Sequence, residues 1–470
     1  MRRFDWRWLV VSSLLLAFSA SAETRPQYGG TLRVAMRAAP ASLDPADGSQ
    51  ADSFSGYSFS GTGFARRSVM MLMFDTLVAI DNNARIQPSL ALSWESAPGF
   101  RRWQVHLRHG VKFDDGTPLT AEIAAASLRS ANPSWKVHAD GDSVVIEFES
   151  ADPELLAELA LARNAIAKRN NDARPSGTGP FYAVDWEPGK RLTLAAQENY
   201  WGGRPFLDRI EIEMGMNFRD QLTALELGKA DLVEAAPEQV HRVSLQGLRI
   251  ATSQPDELLA LLFSRDAVSP EEKTLREALA LSIERGSIRS VLLQGAGQPA
   301  ASLLPNWMSG YGFVFSTDAN LQQARSDCEQ VRATLHSIPT WTLGYDGSDA
   351  LARVIAERIA LNARDAGLSL QPTTAATADL RLVRIPLASA NPWVALGNLA
   401  ALMETPVAKH IGGSIEELYA AEQSLLAAQR LIPLLHLPVS YAAAVNLNGL
   451  QIRPDGTWNL AGAWLGSGKP

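Results

Sequence analysis

The sequence predicts a mixed α/β fold built in more than one lobe, and four observations carry that reading. The chain has 470 residues, too many for a single hydrophobic core. Between residues 177 and 214, apolar and polar side chains alternate with a period of two in runs separated by Gly and Pro. A helix-like run at 218–227 ends at Gly228 and leads straight into a further strand at 230–234. Residues 341–345, 351–366 and 368–370 then read as strand, helix and strand, the unit that makes a parallel pair. A 46% hydrophobic and 20% charged composition is that of an ordinary globular chain, and a net charge of −7 offers no basic surface to nucleic acid.

Taken in order, residues 1–22 read as a cleavable signal peptide. Arg2, Arg3 and Arg7 precede a short apolar run at 8–18, and Ala20-Ser21-Ala22 supplies the small residues of a cleavage site. The apolar run is short for a spanning helix. Cys328 is the only cysteine, so no intramolecular disulfide forms and no cysteine stands at the cleavage site for lipidation. Alternation from Leu32 predicts a strand, closed by Ser42-Leu43-Asp44-Pro45. Residues 46–63 read as an irregular loop over a cleft mouth, and 67–77 as a helix. Trp103, Val105 and Leu107 share one strand face, Asp115-Gly116 supplies a tight turn, and Thr120 is a natural N-cap for a helix at 121–130. A strand at 143–148, a helix at 153–167 and a polar linker at 168–176 follow.

Gly177-Thr178-Gly179-Pro180 is a turn of backbone with almost no side chain. Strands at 181–186 and 191–194 flank Glu187-Pro188-Gly189-Lys190, which carries Pro-Gly where a tight turn wants them. The loop 199–205 leads to another alternating run at 208–214. Ser269-Pro270-Glu271-Glu272 has the order N-cap, proline at the first helical position, and a glutamate placed for a capping box. Leu275, Ala278, Leu279 and Ile283 keep the apolar face of that helix. Leu351, Val354, Ile355 and Ile359 are the expected buried stripe of a later one. A strand at 379–385, a helix capped by Ser414 and Glu417 and running to Arg430, and a strand at 432–437 complete the chain.

Two blocks carry a resemblance. One runs GTGPF…W.PG..L.L…NYWGGRPFLD.I.I.M and continues LTALELGKADLV; the other reads P.LA.SWE…W.V.LR.GVKFDDGTPLTAE. Their order and spacing resemble the peptide/nickel-type extracellular solute-binding proteins, solute-binding family 5, which are periplasmic receptors of ATP-driven (ABC) uptake systems. The resemblance implies the type II, large-cluster periplasmic binding protein fold, two-lobed, with an additional small domain inserted in the first lobe. The boundaries it suggests are 23–47, 177–257 and 440–470 for lobe I, 48–176 for the inserted domain II, and 258–439 for lobe III. It implies capture of a small solute, peptide-like or another polar organic molecule, in an interlobe cleft and delivery to a permease in the inner membrane. The expected protein is a periplasmic monomer without cofactor, metal or nucleic acid. A sensing or interaction protein that keeps the fold without transport fits the same residues.

No nucleophile elbow, zinc-binding helix or phosphate loop is present, so nothing in the sequence supports an enzyme. A binding cleft needs aromatic walls and a few fixed polar groups instead. Tyr311, Trp341, Tyr345 and Trp393 could supply walls, although for each alone core packing is the better reading. Arg384 interrupts an apolar strand, where it either meets a ligand carboxylate or faces solvent from an edge. Ser42 and Asp44 lie near the cleft implied by the resemblance, with an Asx-turn as the other role for Asp44. His436 between leucines fits a core histidine or a ligand contact. Peptide-binding members hold the peptide amine with an aspartate before a proline. Here Ser389, Asn391 and Trp393 occupy that stretch, Asn391 precedes Pro392, and no carboxylate is present. A free α-amine is therefore not expected to be held at this point.

Overall fold

The computed structural model describes residues 25–47, 63–81, 85–169, 174–312, 314–405 and 413–466. The predicted signal peptide and most of the predicted loop at 46–63 lie outside the described residues. Among the described residues, one eleven-stranded sheet passes through both lobes. From its lobe I edge the order is Phe181–Glu187, Arg191–Ala196, Arg209–Glu213, Thr31–Ala35 and Leu232–Ala235. The long strands Leu431–Ala443 and Arg249–Phe263 come next, and Leu380–Pro386, Thr340–Gly344 and Ser369–Thr373 finish the lobe III side. Gln298–Pro299 pairs onto Leu431–Ala443.

The two long strands are the only sheet connection between the lobes among the described residues, and their pairing is irregular where they cross. Arg249 to Thr252 pair in register with Ala443 to Ser440, but the register shifts on either side of Pro255, which faces Pro438. Proline has no N–H, so two facing prolines remove ladder bonds from both strands. Side chains replace some of them: the Trp307 indole donates to Pro255 O at 2.6 Å and Val439 N donates to Ser253 Oγ at 2.9 Å.

Each lobe buries its sheet on both faces. In lobe I, Leu32, Val34, Ile210 and Ile212 pack with the helix Gly63–Met73 and with Trp458, while Ala35 and Val233 pack with Leu222 and Leu225 of the helix Phe218–Glu226. In lobe III, Leu259, Leu261 and Phe263 face the helices Pro270–Ser282, Leu321–Leu335 and Ala350–Asp365. Leu258, Ala260 and Leu262 face Pro392–Leu402 and Ile415–Ala427. This is why 258–263 is a continuous apolar run. A separate four-stranded antiparallel sheet, Ala91–Ser96, Arg102–Leu107, Ser143–Glu147 and Lys136–Asp140, packs on the helix Ala121–Ala131 with Trp103, Val105 and Leu107 inward. The strand Thr340–Gly344 is parallel to Ser369–Thr373, as the strand-helix-strand pattern predicts.

Several expectations are corrected. The helix expected at 67–77 spans Gly63–Met73, because the backbone of the 177–180 turn presses on its last turn. Gly179 N donates to Met73 O at 2.9 Å, and a Cβ at Gly177 would stand 1.9 Å from that oxygen. The helix expected at 153–167 breaks into Leu155–Leu159 and a short 3-10 turn, Ala162–Asn164. The buried Asn164 side chain donates to Glu158 O at 2.6 Å, competing with the helical ladder. Val354 is 43% exposed, and the buried face of its helix is Ile355, Ala356, Ile359 and Ala363. Glu272 does not close a capping box: it accepts from Val268 N at 3.1 Å and pairs with Arg265 and the buried Arg276. The Ser414–Glu417 box is complete.

Asp75 ties two parts of the first sequence block together. Its buried carboxylate accepts from Trp201 Nε1 at 2.7 Å, Thr178 Oγ1 at 3.0 Å and Tyr200 OH at 3.1 Å. The NYWGG loop and the GTGP turn are therefore anchored on one acid. Burial pushes this carboxyl up to about 6 against the pull of those donors.

Two predictions follow from this junction. Gly177→Ala should cost on the order of 3 kcal/mol or more, because the methyl meets backbone that cannot yield. Urea unfolding measures it, and an unchanged midpoint would contradict the packing account. Asp75 gives a pH signature. Between about pH 4, where an unfolded aspartate titrates, and about pH 6, the folded protein keeps a proton that the unfolded chain has released. This group's contribution to stability therefore falls as pH rises through that window. Relative to Asp75→Asn, the natural protein should lose stability across it and show a flat difference above it; the opposite slope would refute the assignment.

Candidate functional site

In sheets of this kind, ligands meet the carboxyl ends of parallel strands. Here those ends converge from both lobes on one seam. Lobe I contributes Arg37 after the strand Thr31–Ala35, Glu234 within Leu232–Ala235, and Glu238 and Gln239 in the turn Pro237–Gln239. Lobe III contributes Arg384 within Leu380–Pro386 and Asp349, which caps Ala350–Asp365 by accepting from Leu351 N at 2.9 Å and Ala352 N at 3.2 Å. Glu257 comes from the crossing strand beside Pro255.

An ion pair holds the centre. Arg384 Nε donates to Glu257 Oε2 at 2.8 Å, and Nη2 donates to the same oxygen. Glu257 is fully buried. Burial pulls the Arg384 guanidinium down, but Glu257, then Asp349 and Glu238, outweigh it and hold it above its ordinary value. Glu234 is buried and accepts from Arg37 N at 2.6 Å and Gln221 Nε2 at 3.3 Å. Burial raises its carboxyl, opposed by these donors and by the charge of Arg384. Burial also raises Glu238, with Asp349 adding to the rise and Arg384 and Arg37 opposing it. Charges of the two lobes thus act on each other across the seam. A narrow cavity of about 20 Å³ lies here, bounded by Pro237, Asp349, Arg384 and a wall of leucines and isoleucine. Neighbouring Asp256 is fully buried with neither carboxylate oxygen partnered, and burial drives its carboxyl well above the usual range.

A second contact joins the inserted domain to lobe III. Asn391 Oδ1 caps the helix Pro392–Leu402 by accepting from Trp393 N at 2.9 Å and Val394 N at 3.1 Å, which fixes the amide orientation. Its Nδ2 donates to Glu154 Oε2 in the inserted domain. Ala157 and Leu161 pack beside it on Val394.

The residues singled out from sequence separate into those at the two contacts and those away from them. Arg384 is at the seam. Asn391 is at the second contact, with Ser389 Oγ accepting from its backbone N at 3.1 Å and Trp393 half-buried beside it. Tyr345 lies half-buried just after the strand Thr340–Gly344, four residues before Asp349. Asp44 makes the Asx-turn, accepting from Ala46 N at 2.9 Å, and Arg169 grips both of its carboxylate oxygens at 2.6 Å. Ser42 donates to Asp47 at 2.5 Å. Trp341 is in the lobe III core, edge-on to Phe263 with centroids 5.4 Å apart. Tyr311 donates to Glu422 and packs edge-on against Tyr419. His436 is buried against Leu303 O at 3.1 Å, and burial lowers it to about 4. Sequence reasoning missed Arg37, Glu234, Glu238, Glu257 and Asp349. Only Glu257 left a trace, as an acid heading the apolar run 258–263.

Among the described residues, no three His, Cys, Asp or Glu side chains are placed to hold a metal ion, and no helix is long and apolar enough to cross a membrane. Compared with known proteins, residues 85–384 match the model of the bacterial extracellular solute-binding proteins, family 5. The nickel-binding protein NikA of Staphylococcus aureus is 26% identical over 315 residues, 63% of each chain. The probable D,D-dipeptide-binding periplasmic protein DdpA of Escherichia coli is 24% identical, over 53% of this chain and 52% of its own. The alignments thus span about half to two thirds of these relatives. A crystal structure of the S. aureus NikA with Ni(L-His)2 has a TM-score of 0.77 at 19% identity, covering 93% of this chain and 100% of its own. The dipeptide binding protein from Pseudoalteromonas sp. SM9913 in complex with Met-Leu gives the same TM-score and coverage at 15% identity. The two-lobed fold is shared with these proteins, and the chain belongs to the bacterial extracellular solute-binding proteins of family 5.

Proposed function

We propose that this protein is a periplasmic solute receptor. It captures a small polar organic solute or short peptide in the seam between its lobes and delivers it to the membrane permease of an ATP-driven uptake system. It acts as a binder rather than an enzyme. The observation that carries this reading is the seam itself, where Arg384, Glu257 and Asp349 face Arg37, Glu234 and Glu238 at converging strand ends. A solute that touches both sets of groups favours the form in which the lobes meet. The hinge in this reading is the irregular crossing at Pro255 and Pro438, close to the domain limits 257/258 and 439/440. The Glu154–Asn391 contact then latches the closed form from the far side of the cleft.

Two measurements test this. A thermal-shift screen of small solutes should find one that, at about 100 times its dissociation constant, adds about 2.7 kcal/mol of stability. Small-angle scattering should show the molecule contract with that solute, and binding without contraction would refute hinge closure. Glu154→Ala should weaken the same solute by up to about tenfold, through faster dissociation, since hydrogen bonds to charged groups contribute about 1.5–3 kcal/mol. An unchanged dissociation rate would show that the contact is no latch.

A further inference from the structure

Asp256 is tied to one lobe by its backbone and covered by the other at its side chain. Its carbonyl accepts from Leu387 N at 2.9 Å, which extends the Glu257–Pro386 pairing of the lobe III sheet by one more bond. The carbonyl before it, on Pro255, accepts from the Trp307 indole at 2.6 Å. The carboxyl group instead lies under lobe I. A Cβ at Gly456 would stand 2.9 Å from Asp256 Oδ2 and 2.5 Å from Phe64 Cε1, so the turn 453–457 and the first turn of Gly63–Met73 close over it. Asp256 is fully buried, and neither carboxylate oxygen has a hydrogen-bond partner among the described residues.

No neighbouring charge makes up for the missing donors. Burial drives this carboxyl well above the usual range; Arg67 opposes the rise, and Asp455 and Glu257 add to it. Arg67, on the helix, stacks its guanidinium 4.6 Å from the Phe64 ring centroid and donates through Nη2 to Asp455 O at 3.2 Å. Arg453, in the turn, acts on Asp75 and Tyr200 instead. Tyr441, on the partner strand, donates to Gly456 O at 3.0 Å. The lobe III segments 305–308 and 386–391 carry no titratable side chain. A carboxylate ionised in such a place is far costlier than a neutral acid. Water reaches it only if Phe64 and Gly456 move away from the strand, which is a movement of lobe I against lobe III.

We propose that closing the lobes takes up a proton on Asp256, so that the molecule closes more readily as pH falls. The proposal rests on the crossing at Pro255 and Pro438 being the hinge. In the open form, with water at the carboxyl, Asp256 titrates near the ordinary aspartate value of about 4. In the closed form it keeps its proton to a higher pH. Between those two values closure binds one proton, and the closed-to-open ratio falls by up to about tenfold for each unit that pH rises. Below about pH 4 both forms are protonated and the dependence disappears. Glu154, Glu234 and Glu238 also stand at contacts between domains with carboxyls raised by burial, so the contribution of Asp256 is read by difference. Asp256→Asn keeps the side-chain shape and is neutral at every pH.

The test is small-angle scattering on the full mature protein without any solute, from about pH 5 to about pH 8, above the ordinary aspartate range. The radius of gyration of the natural protein should grow as pH rises, while Asp256→Asn stays at the compact value throughout. Asp256→Ser, smaller and also uncharged, should behave as Asp256→Asn does and serves if the amide does not fold. Expansion of natural protein and variants together would assign the titration to another carboxyl and overturn the proposal. A natural protein of one size across the whole range would overturn it too, since closure would then be independent of the proton. Both of those results leave the receptor reading standing, whereas a solute that binds without contracting the molecule removes the hinge and this proposal with it.

Discussion

Pro255 faces Pro438 in the two strands that join the lobes, and neither residue can donate a ladder bond. A sheet shared by two lobes would otherwise be stiff, since each residue pair in a regular ladder adds bonds that resist bending. The facing prolines thin the ladder at the crossing, while the regular pairing of Glu257–Phe263 with Leu380–Pro386, and of Arg249–Thr252 with Ser440–Ala443, keeps each lobe intact. The interruption lies two residues from Glu257, whose side chain pairs with Arg384 on the neighbouring strand, so the weakest part of the ladder and the central ion pair of the seam are adjacent.

That ion pair has its own energetic consequence. Taking a carboxylate and a guanidinium out of water is costly, and their attraction offsets the cost only with good geometry and other partners. Arg384 gives two bonds to one oxygen of Glu257 and leaves the other without a donor. Fully buried Asp256 beside it is left in the same condition. Stability alone does not explain such arrangements, because apolar residues of similar volume would pack at least as well. A site that exchanges water for a ligand does explain them, since its polar groups are completed only in the complex.

Much of the frame was legible in the sequence because the rules that set it are local. Alternation located strands of lobe I, the strand-helix-strand pattern located the parallel pair Thr340–Gly344 and Ser369–Thr373, and Ser414 with Glu417 announced a helix start that the structure completes. The family motifs proved to be packing devices: Gly177 and Gly179 admit the backbone of Met73, and the Trp-Gly-Gly loop reaches Asp75. The seam was less legible because its residues come from five separate stretches, each ordinary where it stands. Glu238 reads as a polar turn residue and Asp349 as a helix cap, and only the fold brings them together. Arg384 stood out because a charge within an apolar strand has no local reason. The aromatic residues misled, since Trp341 fills a core and Tyr311 serves Glu422, roles that sequence periodicity does not separate from lining a cleft.

The central claim is that one seam, built by both lobes, takes the solute. Hydrogen exchange on the mature protein with and without a bound solute tests it most directly, because backbone protection reports which segments a ligand orders. The account predicts protection gained together at residues 235–239 of lobe I and at 345–352 and 384–391 of lobe III, with the sheet cores of each lobe unchanged. Protection confined to one lobe, or gained around Trp341 and Tyr311 while 235–239 stays as open as before, would contradict it.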